Sequence, residues 1–285
     1  MIDDNSFVEE LHKDDHKLNK LKQEDLNILK VFIKICEEYH LRYFIIYGSF
    51  LGAVRHQGFI PWDDDIDVAM PRPDYERFFE IANSVLPANL YTSTYKDGES
   101  HVTVCSKLCS KNKQFTINTA DKVIETGAWI DINAIDGAPR TKLGKKLFLL
   151  RFVYRRGMCQ LANFSKVVNV KRPRPWYQKV IIKTARLIKI EKKLDSIKQG
   201  EKYQKLLSSI PYETADEVAS FQGDWGIEGI VRKEVYGDGA LYPFEDIMVV
   251  GPVDFETYLT SYYGDWRTPP SQDNMNIHGV EESEQ

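Results

Sequence analysis

The stretch that decides the fold is Trp62-Asp63-Asp64-Asp65-Ile66-Asp67-Val68-Ala69-Met70. From Ile66 to Met70 its residues alternate as they do in a β-strand. Asp65 and Asp67 are two positions apart, so in an extended chain both side chains leave the same face. The apolar residues Ile66, Val68 and Met70 leave the opposite face. The pattern predicts a strand with its apolar side toward the core and two carboxylates on the other side.

The number of aspartates in this stretch requires an explanation. Four carboxylates within five residues repel one another if all of them stay ionised at close range. One interpretation is an acidic turn in solvent. The other is a site for a hard cation, Mg²⁺ or Mn²⁺, which prefers oxygen ligands. The strand that follows favours the second interpretation, with Asp65 and Asp67 as ligands, and such ions commonly bridge the phosphate oxygens of a nucleotide.

A second motif lies upstream of the aspartates. The aromatic and β-branched run 43–47 has the length of a strand and stops at Gly48-Ser49. Ser49 stands where a helix N-cap is wanted, ahead of the apolar residues 50–54. A strand that leads through Gly-Ser into a helix presents backbone N–H groups and a hydroxyl to an anion, and Gly48 lets a phosphate approach closely. Although Gly-Ser alone is a weak signal, its combination with the Asp-x-Asp strand is specific.

A third carboxylate is expected on a neighbouring strand. The segment Trp129-Ile130-Asp131-Ile132 places Asp131 between apolar residues, so Asp131 is the first candidate. The alternative is a strand residue that faces water. Asp136 is a weaker candidate because Gly137 follows it, as in a turn.

Helices and strands alternate along the chain, which predicts a single α/β (α+β) domain over residues 1–285, with a mixed sheet flanked by helices. Predicted helices cover 17–39, 73–86 and 254–262, and predicted strands cover 90–95, 103–108, 129–135 and 247–250. Within this domain, residues 140–210 are predicted to form a basic helical insertion, with a break at Lys171–Pro175. Residues 279–285 are predicted to be a flexible tail.

Composition limits the partners and the location. The net charge is −4, which gives no reason to expect nucleic acid. No secretion signal and no run long enough to span a bilayer is evident, so a cytoplasmic location is expected. The basic, aromatic-rich insertion has three interpretations: a solvated helical face, a surface for RNA or a phosphate-rich polymer, or a peripheral contact with an anionic membrane. We favour the membrane contact among its functional interpretations.

The motifs resemble the signature of the LicD family, which is similar to the fukutin-related proteins and belongs to the nucleotidyltransferase-fold superfamily. The resemblance rests on the segments Tyr47–His56, Gly58–Asp67, Trp129–Gly137, Phe244-Glu245, Tyr263–Trp266, Pro269-Pro270 and His278. It extends from about residue 20 to residue 278, and the basic insertion is its least diagnostic part. The sequence departs from the family pattern at Asn133-Ala134, where an aromatic residue and a proline are more usual.

The resemblance implies a nucleotidyltransferase-like fold and a phosphotransferase that forms a phosphodiester. LicD proteins are associated with moving phosphocholine from CDP-choline to sugars of bacterial surface glycopolymers or glycolipids, such as teichoic acid or lipopolysaccharide. By position, Gly48 and Ser49 would hold the donor phosphates. Asp65 and Asp67 would bind the metal, with Asp131 as the third carboxylate. Asp63 would join them or position the acceptor hydroxyl.

Further substrate-binding candidates come from the same motifs. Arg55 is suited to pair with phosphate oxygens, and with His56 it closes the helix after Gly-Ser, where the alternative is an interaction with the helix dipole. His278 is a candidate base or phosphate ligand, and the alternative is a structural histidine. If the cargo is choline, its quaternary ammonium requires an aromatic cage. The candidates are Trp62, Trp129, Trp225 and Trp266, each of which is alternatively a core residue.

Two other functions compete with phospho-alcohol transfer. The same core serves nucleotidyltransferases that place a nucleoside monophosphate on a sugar, a small molecule or an RNA end, so the fold alone does not decide. A non-catalytic adaptor for a glycopolymer or membrane would use only the basic insertion. The intact aspartate cluster argues against the adaptor.

Overall fold

The computed structural model describes residues 4–100, 105–113, 115–118, 123–164, 175–176, 180, 183–184, 187, 189–223, 226, 228–268 and 280–282. The α-helices with defined bounds are α1 (Asp4–Glu38), α2 (Tyr47–His56), α3 (Arg72–Val85), α4 (Lys142–Ala162), α5 (Ser196–Leu207) and α6 (Phe255–Tyr263). Short 3₁₀ helices cover Tyr95–Ser100, Ile190–Lys193, Tyr212–Thr214 and Lys233–Val235. None of the helices in these parts of the chain combines the length and apolar character needed to cross a bilayer.

The strands form a mixed sheet and two smaller ones. They are β1 (Phe44–Ile45), β2 (Asp67–Pro71), β3 (Leu90–Ser93), β4 (Ser106–Ser110), β5 (Phe115–Asn118), β6 (Val123–Thr126), β7 (Trp129–Gly137), β8 (Glu217–Ala219), β9 (Val231–Arg232), β10 (Ala240–Phe244), β11 (Ile247–Gly251) and β12 (Val280–Glu282). The main sheet has the order β1-β2-β7-β4-β3, and β8 and β9 continue from the end of β7. Strand β2 is parallel to β7, and the other pairs of this sheet are antiparallel. The predicted mixed α/β fold is confirmed.

Apolar periodicity explains how the helices pack on this sheet. The inward residues of α1, such as Leu29 and Phe32, are fully buried in the main core, as are Phe50 of α2 and Phe78 of α3. Strand β2 is buried on both faces beyond its first residue, so the predicted polar face of this strand is limited to Asp67. The core therefore holds β2 and β7 as the rigid centre of the sheet.

A second apolar cluster joins the insertion to the main sheet. Phe148 and Phe152 of α4 pack with Tyr203 of α5 and with Phe221, which follows β8. The predicted insertion thus contains two helices that share one small core. Residues 165–174, which include most of the predicted break, lie outside the described residues. Of the predicted flexible tail, Val280–Glu282 forms β12 and pairs with β5.

The element boundaries differ from the sequence prediction in three instructive places. Helix α1 begins at Asp4 instead of Lys17, because residues 4–16 contain no proline or glycine to stop it. The first strand ends at Ile45, and α2 begins at Tyr47, so Ser49 is inside the helix and the N-cap prediction is wrong. The strands β5, β6, β8, β9 and β10 were not predicted, because short strands give little periodicity.

Candidate active site

Three consecutive carboxylates converge just before β2. One oxygen each from Asp63, Asp64 and Asp65 lies within 4.8 Å of the other two. Asp64 is buried, and its neighbours are half-buried. The turn that gathers them is closed by the Asp63 N–H, which donates to the carbonyl oxygen of Ile60 at 3.0 Å. Asp64 was not among the predicted site residues, although it stands in the same motif.

Asp67 and Asp131 lie on adjacent strands. They are partners in the parallel register of β2 and β7. The pKa of Asp67 is raised well above its ordinary range, first by burial and then by the negative charges of Asp65, Asp131 and Asp63, in that order. The structure therefore brings together all four carboxylates that the sequence analysis selected. Their mutual repulsion is the physical condition that a divalent cation relieves.

A lysine already partners one of these carboxylates. The Lys107 ammonium lies 3.2 Å from Asp131 Oδ1, and it sits over the Trp129 ring, 4.1 Å from the centroid. Burial acts to lower the pKa of Lys107, but the Asp131 carboxylate and neighbouring groups raise it, so the lysine stays charged. Sequence analysis missed Lys107. Because β4 is antiparallel to β7 and pairs Lys107 with Asp131, only the strand register identifies it.

Asn133 orients Asp67 from the neighbouring strand. Its Nδ2 donates to Asp67 Oδ1 at 3.4 Å, and the residue is buried. Its Oδ1 is also buried and has no hydrogen-bond partner among the residues that the structure describes. This is the position at which the sequence departs from the family pattern. The departure thus touches the carboxylate site itself, which the sequence analysis did not anticipate.

Gly48 and Ser49 contact the aspartate segment directly. A Cβ at residue 48 would stand 2.5 Å from Asp63 Oδ2, so only glycine leaves this carboxylate in place. The buried Ser49 hydroxyl accepts the Asp67 N–H at 2.9 Å and lies 3.5 Å from the Asp65 carbonyl oxygen. It therefore holds the backbone between the two predicted metal ligands. Phosphate binding by Gly48 and Ser49 stays a prediction.

The backbone turns sharply at Tyr47, where β1 gives way to α2. Tyr47 has φ of 50°, in the left-handed region that non-glycine residues rarely adopt. The surrounding structure fixes it: the Tyr47 N–H donates to the Tyr258 hydroxyl at 3.4 Å, and the Tyr47 hydroxyl donates to the Ser220 carbonyl at 3.0 Å. Backbone strain of this kind costs about 1–3 kcal/mol and persists where other contacts determine the conformation. The positive φ of Tyr47 turns the chain so that α2 starts beside the aspartates.

The loop ahead of the aspartates is held on both sides. Lys22 of α1 donates to the carbonyl oxygens of Ile60 at 3.2 Å and Pro61 at 2.9 Å. On the other side, a Cβ at Gly52 would stand 2.4 Å from the Gly58 carbonyl oxygen, so glycine permits the close approach of the loop to α2. The aspartates therefore follow a segment with little freedom to move.

Arg55 and His56 lie at the far end of α2, about two turns from Gly48. Arg55 Nη1 donates to the Trp266 carbonyl at 3.0 Å, and its Nε donates to His56 Nε2 at 2.9 Å. Nη2 of Arg55 is buried and lacks a hydrogen-bond partner in the described parts of the chain. Burial and the charge of Arg55 lower the pKa of His56. The imidazole accepts the Arg55 hydrogen bond through Nε2, which requires that this nitrogen carry no proton.

Tyr263 links the end of α6 to the carboxylates. Its pKa is raised first by burial and then by the charges of Asp67 and Asp63, with smaller contributions from Tyr262 and Asp65. Tyr263 also raises the pKa of Arg55, so its hydroxyl interacts electrostatically with both the arginine and the aspartates. Tyr263 stands in the C-terminal motif of the family resemblance, but nothing in the local sequence marks it as a site residue.

The remaining aromatic and histidine candidates differ in whether their side chains already contact other groups. The Lys107 ammonium lies over the Trp129 ring, and the Arg267 guanidinium carbon lies 4.3 Å from the centroid of the Trp266 ring. Trp62 is half-buried and packs against the main core. Trp225 and His278 lie outside the described residues. Two of the four predicted cage residues are thus already paired with a cation.

Two further buried acids support the site from a distance. Asp25 of α1 accepts the Trp129 N–H at 2.9 Å, and its pKa is raised well above the ordinary range, mainly by burial. Asp136, the weaker candidate for the third carboxylate, receives two hydrogen bonds from Arg72, at 2.7 and 2.5 Å. Arg72 also donates to Gln204 of α5 at 3.1 Å. Asp136 therefore serves to join the sheet, α3 and the insertion.

Comparison with known proteins identifies sequence relatives of this chain. Residues 40–133 match the family model described as the LicD/FKTN/FKRP nucleotidyltransferase domain, a segment that contains every carboxylate from Asp63 to Asp131. The chain is 27% identical over 262 residues to a Haemophilus influenzae protein named lipopolysaccharide cholinephosphotransferase LicD, covering 90% of this chain and 94% of that protein. It is also 37% identical over 70 residues to an uncharacterised protein of Rickettsia prowazekii, covering 25% of each chain.

Proposed function

We propose that this protein transfers a phospho-alcohol, phosphocholine in the first instance, from a CDP-linked donor to a sugar hydroxyl. The proposal is supported by the match of residues 40–133 to the LicD/FKTN/FKRP nucleotidyltransferase domain. The acceptor is a bacterial surface glycopolymer or glycolipid precursor. The similarity to a protein named cholinephosphotransferase supports an enzyme of the phosphotransferase class. The observation that carries the proposal is the convergence of Asp63, Asp65, Asp67 and Asp131 beside Gly48.

The carboxylates fit a divalent cation. They are hard oxygen donors, they crowd one another, and the pKa of Asp67 is raised in part by its neighbours' charges. Asp65 and Asp67 would hold Mg²⁺ or Mn²⁺, with Asp131 as the third ligand. When bound, such an ion supplies charge neutralisation at the transferred phosphate. Asp131 would then exchange part of its interaction with Lys107 for the metal.

In the proposed reaction, the acceptor hydroxyl oxygen forms a bond to the phosphorus that carries the alcohol. The bond from that phosphorus to the CMP oxygen breaks, and CMP leaves. Asp63 positions the acceptor hydroxyl and takes its proton. Gly48 leaves room beside Asp63, since any side chain at this position would meet the carboxylate. The buried Arg55 Nη2, without a partner among the described residues, is suited to a phosphate oxygen of the donor.

Choline recognition requires an aromatic surface that is still accessible. Lys107 and Arg267 already stack on Trp129 and Trp266. Trp62 precedes Asp63 directly, so it is our first candidate among the described residues for contact with the quaternary ammonium. Replacing Trp62 by leucine should weaken use of CDP-choline and leave use of CDP-glycerol unchanged. Equal losses with both donors would argue against choline as the cargo.

The test of the reaction is the identity of the released product. Purified protein with Mg²⁺ is incubated with CDP-choline, CDP-ethanolamine or CDP-glycerol, and with lipopolysaccharide as acceptor because the Haemophilus relative is named for it. Release of CMP that depends on donor and acceptor, and is lost in Asp67→Asn, supports the proposal. No CMP from any donor in the panel would contradict it.

The alternative function is nucleotidyl transfer, which the description of the matching domain favours. In that case a nucleoside triphosphate is the donor, and pyrophosphate is released instead of CMP. Parallel incubations with CTP, UTP and ATP, assayed for pyrophosphate, distinguish the two reactions.

A further inference from the structure

Helix α4 carries apolar side chains on two opposite faces. The inner face buries Phe148, Phe152 and Cys159 in the core that it shares with α5. The outer face exposes Leu143, Leu147, Leu150 and Tyr154, with exposed fractions of 68%, 54%, 68% and 59%. Steps of four, three and four residues place these four on one stripe, which we call the outer stripe. From Leu143 to Tyr154 the stripe covers eleven residue steps and is about 16 Å long.

Positive charge borders the outer stripe. The sequence of α4 contains six basic residues and no acidic residue. Two of the six act on the inner side: Lys145 forms an ion pair with Glu217 at 2.6 Å, and Arg156 donates to the Gly223 carbonyl at 3.1 Å. Lys146 and Arg151 lie on either side of the stripe, are exposed, and have no ion-pair partner among the described residues. The outer face therefore combines apolar side chains with uncompensated cations.

The combination of exposed apolar and basic side chains favours one kind of binding partner. A second copy packed stripe against stripe would bring identical basic borders together, and like charges disfavour that arrangement. An anionic lipid surface offers both an apolar interior for the leucines and negative charge for the cations. The long basic side chains can reach the headgroups while their stems stay against the apolar stripe. The insertion exposes three more large apolar residues, Trp176, Val180 and Leu187.

We propose that the outer stripe of α4 binds the surface of an anionic bilayer, with Leu143, Leu147, Leu150 and Tyr154 entering the headgroup–acyl boundary. The same helix is tied to the candidate active site through one segment. Arg156 bonds the Gly223 carbonyl, and the nearby Ser220 carbonyl accepts the Tyr47 hydroxyl at the start of α2. Membrane contact thus holds the site beside an acceptor that is embedded in the same bilayer. The binding itself does not depend on the proposed reaction.

The test is sedimentation of the full chain with vesicles of phosphatidylcholine alone, and with vesicles containing about one third phosphatidylglycerol. The wild type should bind the mixed vesicles, and binding should weaken as salt rises, since exposed charges are screened within about 10 Å at 0.1 M. Leu147→Glu/Leu150→Glu should reduce the partition coefficient at least about tenfold. Lys146→Glu/Arg151→Glu should do the same. The matched control is Leu241→Glu, an equally exposed leucine on β10.

Three results would overturn the proposal. The first is that the wild type fails to bind the anionic vesicles, and the second is that the double leucine variant binds as well as the wild type. The third concerns the stripe in the absence of vesicles. If Leu147→Glu/Leu150→Glu lowers the Tm or converts a dimer to a monomer in sedimentation velocity, another protein surface covers the stripe. Asp67→Asn, which lacks a predicted metal ligand, should bind the vesicles as the wild type does. Its binding therefore tests the membrane proposal independently of the proposed reaction.

Discussion

The Cα of Gly48 lies against the carboxylate of Asp63, and a Cβ at residue 48 would stand 2.5 Å from Asp63 Oδ2. Gly48→Val should therefore displace Asp63 and lower kcat by at least about 100-fold, since misplacement by 1 Å has that effect. Ser49→Ala removes one hydrogen bond and should lower kcat about tenfold. The measurement is steady-state kinetics, with circular dichroism to verify folding. Unchanged kcat in Gly48→Val would remove Asp63 from the site.

Loss of a predicted metal ligand should separate activity from stability. Asp65→Asn and Asp67→Asn each delete an anionic ligand, so activity at saturating Mg²⁺ should fall on the order of a thousandfold. Because burial and neighbouring carboxylates raise the pKa of Asp67, removal of its charge relieves repulsion. The Tm of Asp67→Asn without metal should equal or exceed that of the wild type. Near-normal turnover of both variants would contradict the metal site.

Lys107 should compete with the metal for Asp131. Lys107→Met removes the ion pair at 3.2 Å and leaves the Asp131 carboxylate without a cation that competes with the metal. We expect Mn²⁺ affinity, measured by titration calorimetry, to rise about tenfold and metal-free stability to fall. Lys96→Met, at an exposed lysine, is the control. Unchanged Mn²⁺ affinity would indicate that Asp131 is not a ligand.

The buried Asp25 should make stability depend on pH in a predictable direction. Its pKa is raised, chiefly by burial, so the folded protein binds this proton more tightly than the unfolded chain. The stability it contributes is fully present below its unfolded pKa of about 3.9 and is lost as pH rises through the folded pKa. Asp25→Asn keeps an acceptor for the Trp129 N–H. Urea unfolding should show the variant gaining stability over the wild type from pH 5 to pH 8, whereas a constant difference would contradict this.

The Arg72–Asp136 pair should behave as one buried unit. Arg72→Met leaves the fully buried Asp136 carboxylate without its cation and should cost about 3–5 kcal/mol in the free energy of unfolding. Arg72→Met/Asp136→Leu removes both charges. Its cost in the free energy of unfolding should be less than the sum of the costs of the two single variants. Denaturant unfolding of the two single variants and the double variant gives the coupling energy. Strict additivity would mean that the pair contributes no interaction of its own.

Sequence alone predicted the parts of the site that lie in one short motif. Asp65 and Asp67 follow from two-residue periodicity and the repulsion argument, and Asp131 follows from its apolar flanks. Asp63 follows only from the family resemblance. Lys107 and Tyr263 were not predicted, because each reaches the carboxylates through strand register or helix packing over a large separation in sequence. Ser49 was assigned the wrong local role, since Tyr47 starts α2 with a positive φ that no residue type indicates.

The same contrast applies to the fold. Long amphipathic segments such as α3 were predicted to within one residue at each end, because a 14-residue helix repeats its pattern several times. Strands of two to five residues, such as β8 and β9, repeat it once or not at all. Asn133, noted in the sequence only as a departure from the family pattern, contacts Asp67. Such contacts depend on the pairing of distant strands, and local sequence does not encode that pairing.

The parallel register of β2 and β7 also has a consequence for folding kinetics. Asp67 and Asp131 are about sixty positions apart, so their strands pair only after a long loop closes, which makes this pairing slow. The pairing of β2 with β7 also brings the carboxylates of Asp67 and Asp131 together. A divalent cation bound only by the paired state would lower the unfolding rate more than it raises the folding rate. The proposed ion would therefore act kinetically as well, by slowing the separation of β2 from β7.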